Sequence, residues 1–148
     1  METAVKPRTE VELEVRYAET DQMGVVHHSN YLCWFEVART RHCEESGHHY
    51  ADIEEQGHWL VVTGASIRYR QGARYGEKVV VSCALDWVAT RAVQFAYEVR
   101  CEGRLLATGT TEHVWVDRKT RRHCRIPDYL SDTFLRLAGQ DRLQRPKS

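Results

Sequence analysis

The sequence predicts an α+β fold: an antiparallel five-stranded sheet wrapped around one long central helix, with a short helix near the C-terminus. Two observations carry this prediction. Five separate segments alternate apolar and polar residues with the two-residue period of a strand. A single segment, roughly residues 30–46, is apolar on nearly every face of its first two helical turns. One such helix followed by a meander of strands buries its surface most simply if the sheet curls around it.

The first strand is Val11, Leu13, Val15 and Tyr17 alternating with Glu12, Glu14 and Arg16. A loop, Ala18–Val26, follows, with Gly24 as its flexible point. Ser29 or Asn30 is suited to cap the helix and Gly47 to stop it, with Tyr31-Leu-Cys-Trp-Phe35 and Val37-Ala38 as its apolar opening. Such a helix is expected to be enclosed by other structure. Glu36 is expected to pair along it with Arg39 or Thr40. A polar connector, Gly47–Gly57, has room for a helical turn and contains the surface pair His48-His49.

Strands then run through Val61–Tyr69, Val79–Trp87 and Val93–Val99, and from Leu105 to Val116. Gln71–Gly76 and Cys101-Glu-Gly-Arg104 are turns, the second a tight hairpin. Pro127 opens the last helix, which holds Tyr129, Leu130, Phe134, Leu135 and Leu137. Residues 139–148 are expected to fray. The 148 residues make one domain, with its core at about 10–130.

Composition excludes several classes. With 42% hydrophobic and 28% charged residues, and no apolar run near the roughly 20 residues of a membrane span, the chain reads as a globular domain without such a span. Its N-terminus lacks an apolar signal core. Five cysteines without Cys-x-x-Cys spacing read as free thiols in a reducing compartment, so a cytoplasmic location is expected. The net charge is zero, yet residues 1–90 hold 9 Lys/Arg against 14 Asp/Glu while residues 91–148 hold 12 against 7. The basic excess peaks at residues 118–125, either a solvated turn or a site for a phosphate-rich ligand. The aromatic-interleaved basic stripe of a nucleic-acid binder is missing.

The chemistry concentrates in residues 17–39. Asp21 lies seven residues before His28, at the mouth of the apolar helix, where unpaired N–H groups and a partial positive charge gather. An acid facing such a mouth is suited to splitting an acyl bond. No Gly-x-Ser-x-Gly elbow or glycine-rich phosphate loop is present, and Cys33 reads as packing. Adjacent His27 and His28 lack a third ligand at metal spacing, so no metal is expected. Glu36 is the rival carboxylate.

Tyr17, Thr20-Asp21, Gly24, Val25-Val26, His27-His28, Asn30-Tyr31 and Phe35-Glu36-Val37-Ala38-Arg39 resemble the signature of the hotdog-fold 4-hydroxybenzoyl-CoA thioesterase family. They are closest to its bacterial acyl-CoA thioesterase branch, which includes the Tol–Pal-associated enzyme. Glu19 stands where many members carry aspartate, and His27 where many carry tyrosine. The resemblance implies a hotdog fold and hydrolysis of acyl-CoA, with no cofactor. Asp21 would be the nucleophile or general base, and the backbone N–H of His28 would polarise the carbonyl. Tyr17, Gly24, Val26, His27, Asn30 and Tyr31 would contact substrate, although Asn30 and Tyr31 are equally suited to capping and packing. Coenzyme A phosphates direct attention to Arg91 first, then Arg68, Arg70 and Arg74. The resemblance also implies a homodimer or homotetramer with pockets at the subunit interface. The alternatives are release of acyl chains from an acyl carrier protein, and a non-catalytic acyl-binding hotdog.

Overall fold

A computed structural model of the chain describes residues 6–147, so the start of the N-terminal segment scanned for a signal lies outside the described residues. The elements are β1 (Arg8–Glu14), α1 (Asn30–Glu45), α2 (Tyr50–Glu55), β2 (His58–Tyr69), β3 (Lys78–Val88), β4 (Ala92–Cys101), β5 (Arg104–Asp117), β6 (His123–Cys124) and α3 (Asp128–Ala138). All strand pairs are antiparallel, in the order β1-β3-β4-β5-β2. The sheet has six strands rather than five. The additional two-residue β6 pairs with Trp115 and Val116 of β5, just past the point where β4 begins opposite Val114. Among the described residues three α-helices are present rather than two, because the polar connector folds into α2, and Tyr17–Glu19 adds a single 3-10 turn. The 16-residue α1 is of ordinary length.

Local chemistry accounts for most boundaries. Glu102 and Gly103 both adopt left-handed conformations (φ 51° and 80°), the backbone of a two-residue hairpin whose twist matches the flanking strands. Gly47, at φ 94°, follows the end of α1 as a C′ residue. Ser29 precedes α1 but does not cap it, since its own backbone is already helical and its hydroxyl bonds His27 Nδ1 instead, at 2.8 Å. Residues 140–145, expected to fray, are held down. Gln140 exchanges hydrogen bonds with the backbone of Val88 (2.9 and 2.8 Å), and Arg145 lies over the Trp87 ring, 4.8 Å from its centroid.

The core lies between α1, α3 and one face of the sheet. Tyr31, Trp34, Phe35, Ala38, Arg39, His42 and Cys43 recur at helical spacing and form the buried stripe of α1. The opposite stripe is open: Leu32 and Val37 are 43% and 42% exposed, and Cys33 and Glu36 face outward with them. The described residues of one chain therefore leave this face of α1 unenclosed. Nor does Glu36 pair with Arg39, because the guanidinium turns inward to the Tyr50 and Tyr97 hydroxyls.

Phe35 fixes the height of the helix above the sheet. Its ring stacks on Tyr97 at 4.2 Å and 4° over the bare backbone of Gly109. A Cβ at Gly109 would stand 2.6 Å from the Phe35 ring and 2.8 Å from the Ser66 carbonyl oxygen, and the latter belongs to a paired strand that cannot retreat. Gly109→Ala is therefore expected to destabilise by about 1–3 kcal/mol, as overpacked cores do. The melting temperature should fall by roughly 3–10 °C for a domain of this size. An unchanged melting temperature in calorimetry would show that the ring and the strand move apart freely.

Candidate active site

Residues 20–26 form a small hairpin. Thr20 bridges Val26, the Asp21 N–H donates to the Val25 carbonyl (2.9 Å), and the Gly24 N–H donates to the Asp21 carbonyl (3.0 Å). Gly24 sits at φ 80°, where a side chain would be strained. Asp21 Oδ1 accepts the Met23 N–H at 2.8 Å, the hydrogen bond of an aspartate turn. Its second oxygen has no partner among the described residues, and the residue is half-buried. The sequence therefore builds a hydrogen-bonded tip on which Asp21 has one free carboxylate oxygen.

The turn leading into α1 is clamped from three sides. The Glu19 carbonyl accepts the His27 N–H (2.8 Å) and Asn30 Nδ2 (3.0 Å), and the His28 carbonyl accepts the Tyr31 N–H (3.3 Å) and the Tyr69 hydroxyl (3.1 Å). The Asn30 and Tyr31 amides are thus occupied by the turn itself, and the Ser29 N–H reaches His27 Nδ1. The His28 N–H donates to no acceptor among the described residues. It is the free donor at the positive end of α1.

Asp21 and His28 line one cavity of about 240 Å³, together with Tyr31, Tyr69, Arg70 and Gly72. Asp21 is also in the wall of a larger outer cleft of about 690 Å³, where Tyr17 meets Tyr75 edge-on. Of the other residues singled out in the sequence, Gly24 borders the outer cleft, Val26 and Tyr31 border the inner cavity, His27 is exposed beside His28, and Asn30 spends its amide on the clamp. Arg70 reaches the cavity. Arg74 lies beside it through a bridge to Val25.

Arg68 points to the outer face of the sheet, into a groove with Ser66 and Thr108. Arg91, ranked first from sequence, sits in the β3–β4 turn. Tyr69 is level with Ala107 and Val99, so Arg91 is roughly 25 Å away by strand rise. Within one chain neither of these two arginines meets the cavity, because strand order, invisible locally, decides which turn faces it. Glu36 lies outside the cavity too, beside a separate cleft. No group of three His, Cys, Asp or Glu gathers at metal distance among the described residues.

Two contributors escape a local reading. Tyr69 lies 41 positions after the carbonyl it holds, and its ring packs edge-on against Tyr31 at 5.1 Å. Glu19 is buried, at 5% exposure; it accepts the Arg16 N–H (2.8 Å) and the Trp34 indole N–H (2.9 Å). The x-x-Glu spacing from Arg16 is the sequence signal for the first of these bonds. Burial by itself would raise the Glu19 pKa, but the Arg16 N–H, the Trp34 indole and the Arg16 guanidinium outweigh it and hold the carboxyl below its ordinary value.

A depressed folded-state value places the stabilisation above the unfolded pKa, near 4.3, and removes it as pH falls through the folded one. Glu19→Gln is accordingly expected to cost about 1–3 kcal/mol at neutral pH, since one buried donor must face an NH2 group. The deficit should narrow between neutral and acid pH, as pH falls through the lowered folded value and wild-type Glu19 takes up a proton itself. Urea unfolding at the two pH values checks this; an identical deficit at both would rule out the ionised form as the source.

A sequence profile of the thioesterase-like superfamily matches residues 15–134. A Bacillus subtilis protein provisionally named an acyl-CoA thioesterase is 39% identical over 110 residues, covering 74% of this chain and 80% of that protein. Among solved structures, a Thermus thermophilus protein of unassigned function superposes with a TM-score of 0.80 at 40% identity, covering 88% of this chain and 97% of the other. The DHNA-CoA thioesterase of Staphylococcus aureus superposes with a TM-score of 0.80 at 38% identity, covering 84% and 85%. With the matched residues running from just past β1 into α3, the chain belongs to the thioesterase-like superfamily and has its hotdog-like α+β fold.

Proposed function

We propose that this thioester hydrolase acts on acyl-CoA, with Asp21 and the His28 N–H as its reactive pair, in the manner of the bacterial acyl-CoA branch that includes the Tol–Pal-associated enzyme. The observation that supports this most is that Asp21, with one free carboxylate oxygen, and His28, with a free backbone N–H, are both among the residues lining one cavity. A thioester carbonyl in that cavity accepts the His28 N–H. Asp21 then either removes a proton from an attacking water or attacks the carbonyl carbon itself, giving an anhydride that water opens. In both routes the C–S bond breaks, the thiolate leaves and is protonated, and a free carboxylic acid remains. The scheme draws on no cofactor.

Arg70 and Arg74 are positioned for the phosphates of coenzyme A from within one chain. Arg91 would serve only from a second copy. A second copy also answers two exposed features, the unpaired edge of β2 (Val62 51% and Tyr69 48% exposed) and the open stripe of α1. A homodimer joined there, or a homotetramer of such pairs, is the assembly these surfaces favour. Among the described residues no helix is long and apolar enough to cross a membrane, and all five cysteines are free, which suits a reducing cytoplasm.

Thiol release measured across short-chain, long-chain and aromatic acyl-CoAs, with matched acyl-pantetheines, tests the substrate. Acyl-CoAs should be cleaved with the higher kcat/KM. Equal rates on the pantetheines would favour a carrier-protein substrate, and no release from any compound would overturn the proposal.

A further inference from the structure

A second cleft, about 310 Å³, opens between α1, α2 and the start of β2, and Arg39 contributes to its lining. Arg39 is 8% exposed. Its Nε donates to the Tyr50 hydroxyl at 2.9 Å and its Nη1 to the Tyr97 hydroxyl at 3.0 Å. No carboxylate lies within ion-pair distance of it among the described residues. The polar chain behind it offers no counter-charge either. Tyr97 leads to Thr111 (2.6 Å) and Thr111 to His113 (2.8 Å), and burial, with the Arg39 charge beside it, pushes His113 down to about 3 and keeps it neutral.

A guanidinium carries five donors, of which two are engaged here. Buried charges are ordinarily paired, because an unpaired one forfeits its hydration without compensation. Ile53, Trp59 and Leu60 give the cleft apolar walls. His58 stands beside them, and its buried Nδ1 has no partner among the described residues. Glu36 and Glu54 border the cleft without reaching ion-pair distance of Arg39, and Glu54, away from the open stripe of α1, is exposed, so water screens it. A charge pair at the Arg39 depth is about fourfold stronger than the same pair in bulk water, taking effective dielectric constants near 20 and 80.

We propose that the cleft over Arg39 binds a small monocarboxylate with an apolar body, the class of acid that thioester hydrolysis releases. The carboxylate takes the free guanidinium donors in a bidentate pair, and the body packs on Ile53, Trp59 and Leu60. The acyl end of a thioester carries no charge for Arg39 whereas the released acid does, so the site favours the product acid over the acyl group of the substrate. That assignment to product rests on the hydrolase reading; the binding itself does not.

Calorimetric titration with benzoate and octanoate, and with neutral benzamide as control, tests it on the full chain. Wild type and Asp21→Asn should both bind the acids with a dissociation constant on the order of 1 mM. Arg39→Met should weaken binding at least about tenfold, the loss of one charge-assisted pair, and benzamide should not bind. Glu54→Gln, at the exposed rim, should tighten binding about two- to threefold. No benzoate binding to wild type at about 20 mM would overturn the proposal. So would a folded Arg39→Met protein that binds equally well, or binding abolished by Asp21→Asn, which would put the acid in the reactive cavity. If Arg39→Met does not fold, Glu54→Gln decides: tighter binding supports the site and unchanged binding refutes it. Thiol release on the same preparations reports hydrolysis separately.

Discussion

Asp21→Asn is expected to lower kcat at least about 100-fold while leaving the fold and KM nearly unchanged, the scale of a lost general base or nucleophile. The structure explains why the loss should be confined to chemistry. The only side-chain hydrogen bond of Asp21 among the described residues is the one Oδ1 accepts from the Met23 N–H, and an asparagine carbonyl oxygen accepts it equally well. Gly24 keeps its left-handed turn and Val25 its bridge, so the hairpin tip stays where it is. What disappears is the anionic oxygen that can accept a proton or attack a carbonyl carbon. Steady-state thiol release, with circular dichroism to verify folding, measures both halves of the prediction. Rates within about tenfold of wild type would mean that a neutral amide suffices at this position and would move the chemistry elsewhere. Glu36 would be the next carboxylate to examine, although it borders the Arg39 cleft rather than the cavity containing His28.

How far the molecule can be read from its sequence depends on the range of the forces involved. The turn at Glu102-Gly103 is legible because two left-handed residues between alternating strands leave few other structures. The end of α1 at Gly47 is legible for the same conformational reason. That Asp21 and His28 line one cavity is legible because the hairpin and the helix mouth are both local structures only seven residues apart. The clamp that holds His28 is not, since Tyr69 arrives from β2 and nothing near residue 69 indicates that its hydroxyl meets the helix mouth.

The distance of Arg91 from the cavity of its own chain is illegible for a related reason. A basic residue in a β-turn looks the same at either end of a sheet, and only strand order places it at the far end from Tyr69. The helix α1 misled through composition. An all-round apolar segment signals enclosure, but Leu32 and Val37 remain open among the described residues of one chain. Arg39, expected to pair along the helix with Glu36, turns inward instead. Two tyrosine hydroxyls from α2 and β4 receive it there, and neither is visible from helical spacing.

The claim on which the chemistry turns is that the His28 N–H, and not another amide of the helix mouth, carries the developing oxyanion. It can be tested without altering any side chain. Cys33 provides a ligation junction, so residues 1–32 can be synthesised with an ester in place of the His27–His28 amide and joined to residues 33–148. That exchange removes one N–H which bonds nothing among the described residues and only weakens the His27 carbonyl as acceptor for the Asn30 N–H, so the fold should persist. A single lost oxyanion donor is worth about 100- to 1,000-fold in kcat. A fall of that size, with folding and KM retained, is the expected result. Turnover within about threefold of the all-amide protein would contradict it, because a donor worth that little cannot be stabilising the charge that forms as the C–S bond breaks.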